Sequence, residues 1–169
     1  MKNNIAFIDW QNLYLWTSQN NWKIDLYKFR VFLRDKYKVE KAYYFIWYIN
    51  DENNDLYTNI QDAWFILIFK KQIIKMGSNK KWNIDSDMIF HVMENLIERW
   101  DKFSKIVLVT WDWDFKILVD YLIKKNRFEK ILFPNRDFAS SLYKKLTFKK
   151  YYYLNNARKR LEYNKKRGS

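Results

Sequence analysis

An apolar run that ends in two aspartates constrains the fold of this chain more than any other feature. Residues 106–110, with the sequence Ile-Val-Leu-Val-Thr, are all apolar or β-branched. Because a half-exposed strand would alternate apolar and polar residues, this run predicts a strand that is buried on both faces. Such strands belong to parallel α/β sheets, in which ligands bind beyond the carboxyl ends of the strands. Asp112 and Asp114 stand at that position.

A second segment near the amino terminus has the same pattern. Residues 5–8, Ile-Ala-Phe-Ile, form a short apolar run that ends in Asp9, and Asn12 follows three residues later. If the two strands are neighbours in the sheet, Asp9, Asp112 and Asp114 meet at one edge. Three ionised carboxylates in one place raise one another's pKa and need a cation between them. Oxygen ligands of this type suit Mg²⁺ or Mn²⁺.

The rest of the chain alternates strand and helix patterns, which predicts an α/β fold with a central, mainly parallel sheet of about five strands. The predicted strands cover residues 5–9, 41–49, 73–76, 106–110 and 129–133, with 151–154 as an additional edge strand. The predicted helices begin near residues 12, 25, 55, 86, 115 and 137. The helix from Asp55 is expected to reach Phe69, and Ile97 and Ile117 are expected on the buried faces of later helices.

Composition excludes several classes of protein. The chain has no cysteine, so disulfides and cysteine-based zinc sites are ruled out. The one histidine, His91, lies in a predicted helix and leaves little for a Ser-His-Asp triad. No glycine-rich phosphate loop occurs, which argues against dinucleotide-binding and P-loop enzymes. The amino terminus lacks a signal-peptide pattern and the apolar run Ala63–Phe69 is too short to span a membrane, so we expect a cytoplasmic protein.

The net charge of +13 is concentrated near the carboxyl terminus. Between Lys144 and Ser169 the chain has ten lysines and arginines and a single acidic residue, Glu162. A polyanionic partner such as a nucleic acid explains this segregation of charge. The alternative is a solvated basic tail that has no specific partner.

Three segments of the chain resemble those of a known family. They are IAFIDWQNLY at 5–14, KKWNIDSDM at 80–88 and IVLVTWDWDF at 106–115. In this order they are similar to the FIDGxNLY, KGxVD and hhVSGDGDF blocks of NYN domains, and in particular of the LabA-like branch, within the PIN-like nuclease superfamily. The resemblance implies a three-layer Rossmann-like PIN/NYN fold for residues 1–155, followed by a basic tail at 156–169. It also implies a metal-dependent bacterial ribonuclease that acts on single-stranded RNA, with the oligomeric state left open and a homodimer as one option.

The same resemblance assigns candidate site residues. Asp9, Asp112, Asp114 and an acidic residue at the start of the fourth helix would hold Mg²⁺ or Mn²⁺, and we prefer Asp87 over Asp85 as that fourth ligand. Asn12 would orient a phosphate or a metal-bound water. Asp87 and Asn12 also have a purely structural interpretation, because both residue types cap helices. The candidate RNA-binding lysines are Lys80, Lys81, Lys144, Lys145, Lys149 and Lys150, and the candidate stacking rings are Tyr143 and Tyr151 to Tyr153.

The chain departs from the family pattern at its glycines. Trp10, Trp82, Trp111 and Trp113 stand where the family has glycine, and Trp47 and Trp64 look similar. The whole chain has 2 glycines and 9 tryptophans, whereas average usage predicts about a dozen glycines. One hypothesis is that UGA codons, read as tryptophan in one genetic code and as glycine in certain bacterial lineages, encode these positions. The alternative is a genuinely tryptophan-rich chain, which would favour a catalytically degenerate RNA-binding or regulatory module, or an interaction domain with structural acids.

Overall fold

Six parallel strands form the centre of the structure, a computed structural model that describes residues 2–19, 22–46, 54–69, 84–136, 143, 146 and 148–164. The sheet has the order β3-β2-β1-β4-β5-β6, and every neighbouring pair is parallel. The predicted parallel α/β fold is therefore confirmed, and the sixth strand is the additional edge strand that we expected at 151–154. The strands are β1 (Asn4–Asp9), β2 (Val39–Ile46), β3 (Ile66–Phe69), β4 (Ile106–Val109), β5 (Phe128–Phe133) and β6 (Tyr151–Tyr153). The helices are α1 (Trp10–Gln19), α2 (Leu26–Tyr37), α3 (Asn54–Asp62), α4 (Ile84–Glu98), α5 (Lys116–Lys124) and α6 (Arg158–Leu161).

The two strands that precede the aspartates are neighbours at the centre of the sheet. β1 pairs with β4 in register from Ile5 beside Ile106 to Ile8 beside Val109, and all four of these residues are buried. From β1 the chain continues to β2 on one side, and from β4 it continues to β5 on the other. This divergence is a topological switch point, where open α/β sheets have a crevice at the carboxyl ends of their strands.

Helices cover both faces of the sheet and give the molecule three layers. The core on one face contains side chains of α1, α2, α3 and α6, and the core on the other contains side chains of α4 and α5. Ile97 and Ile117, which we expected to be inward, are 75% and 83% exposed. Asn95 and Val119 occupy buried positions on the same two helices instead. None of the helices in the described residues is long and apolar enough to cross a bilayer.

The third strand lies earlier in the chain than the sequence pattern indicated. β3 occupies Ile66–Phe69 and pairs with β2, so the prediction of a helix from Asp55 to Phe69 is wrong in its last part. The strand that we predicted at Ile73–Met76 lies outside the described residues. The reason for the error is that residues 63–69 are continuously apolar, and a run of this kind does not distinguish a helix from a buried strand.

Backbone hydrogen bonds show how α3 ends. The Phe65 amide donates to the Ile60 carbonyl at 3.2 Å, and the Trp64 amide donates to the Gln61 carbonyl at 2.8 Å. Trp64 has a φ of 65°, in the left-handed region. These two bonds around a left-handed residue form a Schellman motif, in which glycine is the usual left-handed residue.

The chain after β6 returns to the helical layer of α2. Leu161 of α6 is fully buried, and its carbonyl accepts a hydrogen bond of 2.8 Å from the amide of Asp25. Asp25 is the predicted cap of α2, and its side chain accepts from the amide of Lys28 at 3.0 Å. An antiparallel bridge between Ile24 and Glu162 completes the contact. The basic residues 158–160 are therefore held against the body of the fold.

We predict that Trp64→Gly raises the free energy of unfolding by about 1 kcal/mol, because glycine adopts a positive φ without a side-chain clash. Trp64 is 76% exposed, so little buried surface is lost. The control is Phe90→Gly, which removes another exposed aromatic ring but from the interior of α4. It should lower stability by about 1 kcal/mol. Urea denaturation measures both effects, and an equal loss of stability in the two variants would contradict the prediction.

Candidate active site

Asp9 is the last residue of β1 and immediately precedes α1, and its side chain is buried. Its Oδ1 accepts a hydrogen bond of 3.1 Å from the amide of Asn12, and its Oδ2 accepts one from the Asn12 side-chain amide. The first contact is that of a helix N-cap with the third residue of the helix. Asp9 is thus the cap of α1, and Asn12 is the residue that fixes its orientation.

Thr110 joins the ends of the two central strands. The Asn12 side-chain amide, besides its bond to Asp9, donates to Thr110 Oγ1 at 3.1 Å. The amide of Asp112 donates to the same oxygen, also at 3.1 Å. Thr110 is fully buried. A continuous chain of hydrogen bonds therefore runs from Asp9 through Asn12 and Thr110 to the backbone of Asp112.

The segment after β4 is held by local bonds. Asp112 Oδ1 accepts from the amide of Asp114 at 3.0 Å and so caps a short 3-10 helix at Trp113–Phe115. The hydroxyl of Tyr143 donates to the Asp112 carbonyl at 2.7 Å. The Tyr143 ring is 1% exposed and packs on Phe133. It positions the Asp112 backbone and cannot offer a face to an RNA base, so our interpretation of this ring as a stacking platform is wrong.

The electrostatic state of Asp9 reflects its burial. Desolvation raises the pKa of this carboxyl to about 6, and the negative charge of Asp112 adds to the effect. The hydrogen bonds from Asn12 and Gln11 act in the opposite direction but do not cancel it. Ionised Asp9 is therefore an uncompensated charge that a cation would stabilise.

The arrangement fits a hard divalent ion, although it assembles fewer acids than we predicted. No three Asp, Glu, His or Cys side chains come together among the residues that the structure describes. Asp114 is exposed beside Asp112, and Asp87 is exposed in the first turn of α4. Mg²⁺ keeps several waters and is commonly held by only one or two carboxylates. Asp9 and Asp112 are the two carboxylates that could meet that requirement, and the metal-binding roles of Asp9, Asp87, Asp112 and Asp114 all stay predictions.

Three tryptophans are adjacent to the aspartates in the sequence. Trp113 lies between Asp112 and Asp114 and is 56% exposed, whereas Trp111 is partly buried against the core under α4 and α5. The Trp10 ring stacks on Tyr14 with centroids 5.2 Å apart. The segment after β4 therefore carries one exposed indole, that of Trp113. Trp82 lies outside the described residues.

The lysines proposed from sequence are not at this edge where the structure describes them. Lys149 and Lys150 immediately precede β6, so they lie at the amino end of the parallel sheet, opposite the aspartates. Lys149 is exposed, and the Lys150 ammonium donates to the Phe128 carbonyl at 3.2 Å. The other four, which lie outside the described residues, are Lys80, Lys81, Lys144 and Lys145.

Sequence reasoning named Asn12 but not the bonds by which it connects the site. Aspartate is a preferred N-cap, so Asp9 directly before a helical segment was the signal from which the cap of α1 could have been recognised. Thr110 gave only a weak signal, as a hydroxyl residue at the end of an apolar run. Tyr143 was assigned a different role, because its contact with Asp112 depends on tertiary packing.

We predict that Asp9→Asn raises the free energy of unfolding at pH 8, in EDTA, by up to about 3 kcal/mol. A raised carboxyl pKa means that the native protein binds the proton more tightly than the unfolded chain. The wild type therefore gains stability as the pH falls through 6 towards 4, and the advantage of the amide shrinks over that range. Urea denaturation at several pH values measures the difference. Asp101→Asn, at a 69% exposed side chain, is the control and should show no such trend, and a pH-independent gain in Asp9→Asn would contradict the prediction.

Both the sequence and the structure of this chain are similar to known proteins. Residues 4–155 match the family model of the NYN domain, whereas a search of curated proteins finds no match. The fold is similar to the crystal structure of a protein of unknown function from Vibrio parahaemolyticus, with a TM-score of 0.76 and 16% identity. The alignment covers 96% of this chain and 97% of that chain, and at this identity it shows the fold alone. The family match spans most of the chain and includes both central strands, and this protein therefore belongs to the NYN domain family.

Proposed function

We propose that this protein is a metal-dependent ribonuclease that hydrolyses phosphodiester bonds of RNA. NYN domains belong to the PIN-like nuclease superfamily, which suggests a nuclease-type hydrolase. The observation that carries the proposal is the pairing of β1 with β4, which places Asp9 and Asp112 at one crevice and links them through Asn12 and Thr110. A buried carboxylate with a raised pKa next to a second carboxylate is typical of a functional site.

Each residue has a proposed role in the reaction. Asp9 and Asp112 would hold Mg²⁺ or Mn²⁺, with Asp87 and Asp114 as further candidate ligands. The bound ion would stabilise negative charge on the phosphate and lower the pKa of a water for attack on phosphorus. Asn12 holds the buried carboxylate of Asp9 in place, and its side-chain amide is already committed to Asp9 and Thr110, so its proposed role is to position Asp9 rather than to contact the phosphate.

The proposed substrate is single-stranded RNA, which the basic side chains retain by contact with phosphates. The strong positive charge of the chain, +13 in total, supports an anionic polymer as the partner. The candidate lysines for this contact are Lys80, Lys81, Lys144 and Lys145, whereas Lys149 and Lys150 lie at the end of the sheet opposite the aspartates and could contact only RNA that extends past the site.

A second candidate is favoured by one observation. Trp113, between Asp112 and Asp114 in the sequence, is 56% exposed, and we infer that its indole hinders the approach of a substrate phosphate. A protein with this residue could bind RNA through its basic surface without cleaving it. That function is a catalytically degenerate RNA-binding or regulatory module.

We expect Asp112→Asn to reduce cleavage of a labelled single-stranded RNA in Mn²⁺ by at least about 100-fold, because it removes a charged ligand of the ion. RNA binding should be retained or become tighter, since one negative charge is lost. Asp101→Asn makes the same charge change at an exposed site away from the crevice and should cleave like the wild type. Gel analysis with and without EDTA measures the rates. Cleavage that survives EDTA, or an equal rate in the two variants, would reject the proposal.

A version of the chain with glycine at 10, 82, 111 and 113 tests the second candidate. If the indoles obstruct a competent site, this version should cleave RNA in Mn²⁺ more rapidly than the chain as written, and Asp112→Asn in the same background should abolish the gain. The measurement is the initial cleavage rate at equal protein concentration. Salt-dependent RNA binding without cleavage in every version would favour the binding module.

A further inference from the structure

A groove lies on the helical face of α2, away from the aspartates. It has a volume of about 530 Å³ and runs between α2 and the segment that follows β6. Phe32 and Tyr152 form its floor, and their rings are 6.0 Å apart. The walls are mostly polar or basic and include Lys36, Asn155, Asn156, Arg158, Lys159 and Arg160. The Phe32 ring is 1% exposed, so the basic walls are the part of the groove that a ligand meets, and they suit an anion.

Two further lysines, Lys130 and Lys150, are close enough to Lys36 of the groove for their charges to interact. Lys130 lies on β5 and Lys150 immediately precedes β6, each one residue before the paired Ile131 and Tyr151. The Lys36 ammonium stands 3.5 Å from the centre of the Tyr152 ring. The pKa of Lys130 is lowered by burial first, and the charges of Lys36 and Lys150 lower it further. These ammonium groups therefore repel one another, and Glu129 is the acid that offsets them.

The acids near the groove leave part of its charge unpaired. Glu162 pairs with Arg158 at 2.9 Å, and Asp35 approaches Arg160 at 3.5 Å. Within the part of the chain that the structure describes, no ion pair involves Lys36 or Lys159, and both are exposed. Exposed cations without acidic partners interact with phosphate at a small desolvation cost.

We propose that this groove is a second contact surface for single-stranded RNA, distinct from the crevice at the carboxyl ends of the strands. Lys36 and Lys159, which have no acidic partner in the described part of the chain, contact backbone phosphates of the RNA. The inference rests on the proposed function for the identity of its ligand. The groove lies apart from the proposed active site, because Lys36 is on α2 and Lys159 is on α6. RNA that occupies both surfaces would pass over β5 and β6, the two outermost strands on that side of the sheet.

The test is RNA binding in EDTA, where cleavage does not intervene. The groove variant carries Lys36→Gln and Lys159→Gln. We expect it to bind a labelled single-stranded RNA about tenfold more weakly than the wild type. The slope of log Kd against log salt concentration should be smaller by about 1.4, because two phosphate contacts are lost. The matched control carries Lys124→Gln and Lys125→Gln, which remove two exposed charges at the end of α5. The control should keep most of the affinity of the wild type.

The outcomes separate this inference from the proposed function. Equal affinity and equal salt dependence in the groove and control variants would overturn the groove as an RNA surface, whatever the cleavage assay shows. Loss of binding in the groove variant alone supports the groove, even if the wild type does not cleave RNA. Inorganic tripolyphosphate is a second probe. If the wild type binds tripolyphosphate as tightly as RNA of equal phosphate concentration, and the groove variant loses both to the same extent, the groove recognises phosphate alone and the assignment to RNA is wrong.

Discussion

The parallel pairing of β1 with β4 is the contact on which the site depends. It brings together two segments about 100 residues apart, and the hydrogen bond between Asn12 and Thr110 spans 98 positions of the chain. Both strands are buried on each face, so neither can shift its register without exposing apolar side chains. This rigidity fixes where Asp9 and Asp112 lie. Rigid strands can keep a charged side chain buried, whereas on a flexible loop the same side chain would turn outwards and become hydrated.

Side chains of like charge lie near one another in two separate parts of the fold. At one edge of the sheet, Asp9 is buried beside the charge of Asp112, and its pKa is raised accordingly. Towards the other edge, Lys130 lies near the charges of Lys36 and Lys150. Neither arrangement stabilises the isolated protein, because like charges in a partly buried setting repel. Each becomes favourable when a ligand of opposite sign is bound, a cation in the first case and an anion in the second.

Sequence patterns located the central strands and their aspartates because these depend on local residue order. An apolar run that ends in a carboxylate is visible in the printed sequence, and so is the cap of α2 at Asp25. The orientation of side chains on α5 was less accessible, since Ile117 is as apolar as Leu118 and only packing decides which is buried. The role of Tyr143 depends on contact with Asp112, 31 residues away, and no local pattern encodes it.

The error at the end of α3 is related to the unusual tryptophan content. Glycine at position 64 would have predicted the end of the helix, whereas tryptophan within an apolar run gives no such signal. In the described residues, positive φ values at non-glycine positions occur at Lys38, Trp64 and Asn126. Trp10, Trp111 and Trp113 therefore have ordinary backbone angles, and glycine there would act by making room rather than by permitting a left-handed turn. Among the described members of this set, the backbone argument for glycine applies at position 64, whereas at 10, 111 and 113 glycine would change only the room at the carboxyl ends of β1 and β4.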